Sequence, residues 1–254
     1  MPAYSIFIHS SGTGPSLWAS VPATITAGSS QWFPANLGYA PLPAVPRGVH
    51  LTADDDARHL ARSLPVDATS ARIFGHSYGG LVALKLARLL TIPVESLFLL
   101  EPVLFGALNR DLARHPEAAA EVHSFADQDW FLNNEALGGT AQWLEVFIDY
   151  WNRPGSWARM PPELQAAQVA LGWKIYLEVR SVFYDAAPFA SWQMAMPMTV
   201  AYGEKTTQAA RAMALELLAV NPQAHALHLP GVGHMAIAVK PQVVFTAMTA
   251  ALVP

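Results

Sequence analysis

With 254 residues, 52% of them hydrophobic and 13% charged, the chain can bury a large core and does not read as a disordered segment. A formal charge of −4, without basic runs, gives no electrostatic footprint for nucleic acid or for an anionic membrane surface. With no cysteine, disulfides, cysteine nucleophiles and thiolate metal sites are excluded.

The opening Met1-Pro2-Ala3-Tyr4 has no basic n-region and the apolar run after it is short, so no signal peptide is expected and a cytoplasmic location follows by default. That run, residues 4–8, reads as a buried strand. Residues 53–64 follow as a helix, with Thr52 and Asp55 as an N-cap pair. Asp54 to Asp56 suit the positive end of its dipole better than they suit a metal. Residues 72–74 and 94–100 read as further buried strands around a helix at 80–90. Strands at 198–202 and 224–229 then alternate with helices at 208–220 and 241–252. Alternation of this kind predicts an α/β fold with a mostly parallel sheet covered on both faces. No uninterrupted apolar run of about 20 residues is available to span a bilayer.

Residues 102–195 break the alternation, with aromatic-rich helical patterns and no strand. They are expected to form a helical cap inserted in one core made of residues 1–101 and 196–254. Leu144, Phe147, Ile148 and Trp151 repeat at helical spacing, as do Leu171, Ile175 and Val179, and such stripes are packing surfaces from which a pocket can borrow a few side chains.

The chemistry centres on Gly75-His76-Ser77-Tyr78-Gly79, a G-x-S-x-G sequence that ends a strand and opens a helix. A turn this tight needs small residues beside the serine and pushes Ser77 Oγ out at the carboxyl edge of the sheet, where the Tyr78 N–H can stabilise an oxyanion. Ser77 is the expected nucleophile. A serine hydroxyl needs a base, and His234, in the glycine-bearing loop after strand 224–229, is in the expected chain order. The second oxyanion donor is assigned to the Ser11 N–H, in the loop after the first strand. Ser10 and Trp18 in that region are candidate substrate-binding residues. His9 and His76 are expected to be structural, and His225 and His228 to pack or sit on a strand edge. No histidine has zinc-ligand spacing, and no metal or cofactor is expected.

The acid is less plainly marked. No aspartate follows strand 198–202, where Gly203-Glu204-Lys205-Thr206-Thr207 stands instead. Glu101, at the end of seven largely apolar residues, is the preferred partner for His234 Nδ1, with Glu204 and an acid-free dyad as alternatives.

On these residues the chain resembles the α/β-hydrolase superfamily over nearly its full length. It looks especially like a bacterial group with a Glu-Pro-Val-Leu-Phe segment, here Glu101 to Phe105, and a cap segment beginning Phe147-Ile148-Asp149-Tyr150-Trp151. The resemblance implies a sheet of about six strands, the two leading strands usual in the superfamily being absent. Related dehalogenases that carry a glutamate after the earlier strand support Glu101, but their nucleophile is an aspartate, so dehalogenation is not implied. Plant hydroxynitrile lyases resemble the chain in its short start, yet Met235 stands where they have a lysine. The expected activity is hydrolysis of an ester or related acyl substrate, a small molecule, through an acyl-enzyme. A ligand-binding protein without turnover is the rival reading, and Trp143, Trp151 and Trp157 are possible pocket walls.

Overall fold

The structure is a computed structural model that describes residues 2–126 and 128–252. The expected core and cap ranges also include Met1, Asp127, Val253 and Pro254, which lie outside the described residues. Six parallel strands form one sheet: β1 (Ala3–Ile8), β2 (Ser29–Trp32), β3 (Ser70–His76), β4 (Val94–Leu100), β5 (Met198–Gly203) and β6 (His225–Leu229), in the order β2-β1-β3-β4-β5-β6. Five of these are legible as apolar runs. Strand β2 is not, because Ser-Ser-Gln-Trp is short, polar and at the sheet edge, where only one neighbour demands a pattern.

Alternation along the central strands sorts side chains to two faces. Ile6, Ile8, Ile73, Leu97 and Leu99 pack beneath α1 (Ala53–Ser63), α2 (Tyr78–Leu89) and α7 (Gln208–Val220). Phe7, Phe74, Phe98 and Leu100 point the other way, toward Val244, Phe245 and Met248 of α9 (Pro241–Leu252), which follows the short α8 (Ala236–Val239). Trp18 belongs to this second face. It is fully buried beside Phe7 and Phe245, and its Nε1–H donates to the Ile8 carbonyl at 3.1 Å. The expectation that Trp18 binds substrate is therefore corrected: the turn that follows the loop after β1 tucks the indole under the sheet.

Between β4 and β5 the described residues form no strand. They make α3 (Phe105–Arg110), α4 (Pro116–Phe125), α5 (Ala141–Trp151) and the long α6 (Pro162–Tyr184), with short turns between. At the start of α1 the Thr52 N–H donates to Asp55 Oδ2 at 2.8 Å, as its capping pattern predicts. The three neighbouring aspartates are separately engaged, Asp54 with Lys85 and Asp55 with Arg58 at the surface, while Asp56 is buried. Among the described residues no cluster could hold a metal ion, and no helix is long and apolar enough to cross a membrane.

Candidate active site

At the carboxyl end of β3 the chain turns straight into α2, and Ser77 occupies the corner with φ 56° and ψ −122°. A non-glycine residue with positive φ costs on the order of 1–3 kcal/mol and persists only where surroundings over-determine it. Here the Ser77 N–H donates to the Leu100 carbonyl at 3.0 Å, and its own carbonyl accepts from Gly80 and Val103. Gly79 is obligatory for a different reason: a Cβ there would come within 2.6 Å of the His9 carbonyl, so only glycine lets the first turn of α2 approach the loop after β1.

Ser77 and Glu101 stand at the ends of the adjacent strands β3 and β4, and the loop after β6 brings His234 back to them past the end of β5. His234 Nε2 lies 2.9 Å from Ser77 Oγ, and His234 Nδ1 lies 2.6 Å from Glu101 Oε2. All three residues are buried. Since the carboxylate accepts, Nδ1 carries the proton and Nε2 is left to accept from the serine hydroxyl. Glu101 also has positive φ, 46°, with its N–H donating to the Ala201 carbonyl at 2.8 Å. Its carboxylate accepts from the Gly203 N–H at 2.7 Å and from Thr206 Oγ1 at 2.5 Å. Thus the loop after β5, which lacks an aspartate, supplies donors to an acid delivered from β4. Glu204, the alternative, instead accepts from the Gly231 N–H at 2.7 Å on the exposed side of the loop that carries His234.

The histidines sort by environment. His225 and His228 are exposed on β6, the sheet edge. His76 Nε2–H donates to the His234 carbonyl at 2.9 Å, fixing the loop that carries His234. His9 Nε2 accepts from the Asn36 N–H, which places its proton on Nδ1, facing the Ser10 carbonyl at 2.9 Å. Burial pulls both imidazoles far down, His9 to about 4 and His76 to about 3, with the nearby His234 adding to the depression of His76. Above them, Trp151 of α5 lays its ring on His234, with centroids 3.8 Å apart. Asp149 holds the turn that follows, accepting from the Gly155 and Trp157 N–H groups at 2.6 and 2.8 Å.

Two compartments meet at Ser77. The outer, about 180 Å³, includes Ser10, Thr13, Asn152, Met160 and Gln168. The inner, about 20 Å³, is walled by Phe105, Phe125, Phe147 and Phe183 and also holds Ser11, Tyr78 and Glu178. Among the described residues the N–H groups of Ser11 and Tyr78 make no turn or loop backbone hydrogen bond, and Tyr78, first in α2, has no partner within the helix. Ser10 Oγ faces Thr13 Oγ1 at 3.2 Å in the outer compartment. Trp151 lines both compartments, whereas Trp143 and Trp157 are buried and line neither.

Glu178 belongs to a buried ionic cluster that no local sequence pattern marks. Lys174 Nζ lies 2.5 Å from Asp56 Oδ2 and 3.3 Å from Glu178 Oε1. Asp56 also accepts from Tyr78 Oη, and Glu178 Oε2 accepts from Tyr39 Oη at 2.8 Å. Burial pushes Glu178 up to about 7; Lys174 opposes that rise and Asp56 adds to it. Lys174 is itself held above its ordinary value, because the two carboxylates outweigh the effect of its burial.

These shifts predict the acid stability. A histidine held neutral in the fold stabilises it fully above about 6.5 and progressively less as pH falls toward its depressed value, because the unfolded chain binds the proton better. Glu178 runs the other way: its contribution is complete below about 4.5 and is lost as pH rises through 7. Between 6.5 and 4.5 the two histidines outweigh the one glutamate by a single proton. Unfolding free energy should therefore drop by roughly one kcal/mol per pH unit. Urea titrations at pH 6.5, 5.5 and 4.5 measure the slope, and His76→Gln, which keeps a donor for the His234 carbonyl, should flatten it.

Comparison with known proteins agrees with this architecture. Residues 6–247 match the model of the alpha/beta hydrolase family. A stretch of 83 residues, 33% of the chain, is 41% identical to pimeloyl-[acyl-carrier protein] methyl ester esterase of Aromatoleum aromaticum, of which it spans 30% of the length. Among solved structures, an enol-lactonase from Burkholderia xenovorans superposes with a TM-score of 0.68 at 18% identity, covering 100% of this chain and 92% of that one. A carboxylesterase from Bacillus subtilis gives 0.63 at 18% identity, covering 99% and 84%. With the fold matched along the whole chain and the family pattern running through nearly all of it, the protein belongs to the alpha/beta hydrolase family.

Proposed function

We propose that the protein is a serine hydrolase of esters or related acyl compounds, with Ser77 as nucleophile, His234 as general base and Glu101 as the acid that orients it. The observation that carries this reading is the buried, continuous hydrogen-bond chain Ser77–His234–Glu101, at 2.9 and 2.6 Å. His234 Nε2 takes the hydroxyl proton as Ser77 Oγ attacks the carbonyl carbon. The resulting oxyanion is held by the N–H groups of Ser11 and Tyr78, and the protonated His234 returns its proton to the departing alcohol. Water then attacks the acyl-enzyme, with His234 again taking the proton, and the collapse expels Ser77 Oγ. Residues 102–195 act as the cap that closes over this chemistry and divides the space above Ser77. The activities for which the relative and neighbours are named, methyl ester esterase, enol-lactonase and carboxylesterase, favour the ester class. Hydroxynitrile-lyase chemistry is disfavoured by Met235 beside the base.

A fluorescent fluorophosphonate tests the reading directly. Rapid labelling is expected at Ser77 alone, lost in Ser77→Ala and in His234→Ala, with the labelled peptide located by mass. A wild-type protein that stays unlabelled, and that returns a bound ester unchanged, would instead be a ligand-binding member of the family.

A further inference from the structure

Both proposed oxyanion donors border on one buried polar network that the chemistry at Ser77 leaves unexplained. Gly12, next to Ser11, donates its N–H to Tyr39 Oη at 2.8 Å, and that hydroxyl donates to Glu178 Oε2, also at 2.8 Å. Glu178 Oε1 is ion-paired with Lys174 Nζ at 3.3 Å, and the same ammonium meets Asp56 Oδ2 at 2.5 Å. Asp56 Oδ2 in turn accepts from Tyr78 Oη, on the residue whose N–H is the second donor. Every side chain along this path is buried. A buried ionic cluster adds little net stability over apolar residues of the same volume, so stability does not account for it; fixing the register of neighbouring groups is the best-attested use of such clusters.

Tyr39 has the geometry of a relay. A phenol has one proton, and burial together with Glu178 keeps it from ionising. Because the carboxylate takes that proton in a hydrogen bond, an Oη lone pair is left facing the Gly12 N–H. On its other side Gly12 is held by α6 directly, its carbonyl accepting from Gln168 Nε2 at 2.8 Å. The carbonyl before Ser11, that of Ser10, accepts from His9 Nδ1–H at 2.9 Å and from Thr13 Oγ1 at 2.8 Å. A planar trans peptide points the Ser11 N–H away from that carbonyl, so the donor lies between two anchored peptide planes. Tyr39 itself is in the wall of neither compartment at Ser77.

We propose that Tyr39 is a positioning residue of the oxyanion hole: its hydroxyl, oriented by Glu178, holds Gly12 so that the Ser11 N–H meets the oxyanion, and the path through Lys174 and Asp56 fixes that donor against Tyr78. The inference rests on the acyl-enzyme reading above. Gln168, Lys174 and Glu178 all belong to α6, so one donor of the hole takes its place from a helix that supplies no reacting group.

The test is Tyr39→Phe, which deletes one buried oxygen and keeps the ring. Active sites are counted by the end-point of fluorophosphonate labelling and kcat is expressed per labelled site, so that any unfolded fraction drops out. Removing an oxyanion donor outright costs about 10^2–10^3-fold in kcat; loosening one should cost roughly 10–100-fold, with KM within about threefold of wild type. The oxyanion itself is read with a trifluoromethyl ketone matched in chain length to the assayed ester. Ser77 Oγ adds to its carbonyl carbon, the C=O π electrons move to the oxygen, and His234 keeps the serine proton, which leaves a stable oxyanion in the hole. Its Ki should rise by the factor by which kcat/KM falls, while the Ki of the corresponding carbinol, which cannot be attacked, should not move. Glu178→Gln keeps the shape but offers Tyr39 only a neutral acceptor; it should shift both constants together by about threefold or more, and it decides should Tyr39→Phe fail to fold. Unchanged kcat per labelled site in the variants overturns the inference, as does a fall in kcat that the trifluoromethyl ketone does not match. A wild type that the fluorophosphonate leaves unlabelled removes the hydrolase reading beneath it, whereas a labelled wild type with Tyr39→Phe at full rate removes only the role of Tyr39.

Discussion

Replacing His234 with alanine should lower ester turnover by about 10^4–10^6-fold while leaving KM within a small factor of wild type. The size follows from what the imidazole does twice on the proposed route. It accepts the Ser77 proton across 2.9 Å in acylation and protonates the leaving alcohol afterwards, and no neighbouring group can stand in for either step. His76 cannot, because its Nε2–H is committed to the His234 carbonyl and burial depresses its basicity to about 3. Ser77→Ala should lose as much, and the double variant should lose no more than either single one, because the two residues act as a unit. Losses that instead add would mean that water is activated without Ser77. Stopped assays on a chromogenic short-chain ester measure all three, with circular dichroism confirming the fold.

Glu101→Gln should cost about 10^4-fold in kcat. The amide nearly preserves the shape, and its oxygen can still accept from Gly203, but an NH2 group then faces His234 Nδ1–H across a 2.6 Å gap. The imidazole must flip its tautomer to satisfy it, which places a proton on Nε2, where Ser77 needs an acceptor. Glu204→Ala, by contrast, removes a single exposed contact to the Gly231 N–H and should leave kcat within about fivefold of wild type. The pair discriminates the two acids. A large loss in Glu204→Ala with a small one in Glu101→Gln would reverse the assignment.

How much of this could be read in advance depends on whether a residue's role is local. Ser77 announces itself because strand, glycine and helix must succeed one another within a few positions for the turn to exist. Glu101 was legible through a mismatch, an acidic residue at the end of seven largely apolar ones, but the choice over Glu204 required the order of strands: β4 and β5 are neighbours, and the loop of one donates to the carboxylate of the other. The Asp56–Lys174–Glu178 cluster was illegible. Asp56 sits in an acidic helix start that the dipole explains, and Lys174 with Glu178 reads as an ordinary i,i+4 pair on a solvated face. Only the packing of α6 across α1 puts 118 residues of separation into one hydrogen bond. Trp18 fails similarly, since proximity in sequence to the oxyanion loop says nothing about which side of the sheet receives the indole.

If the proposed chemistry runs at Ser77, the ring of Trp151 on His234 ties α5 to its timing. Because that ring comes from α5, any outward swing of the helix that admits an ester also uncovers the imidazole and lets water reach it. Admission of substrate and exposure of the imidazole would thereby be geared together. On the proposed route, a movement of α5 that sets how fast an ester enters would also set when the hydrolytic water arrives, so slow return of Trp151 would show as slow deacylation even with the binding contacts intact.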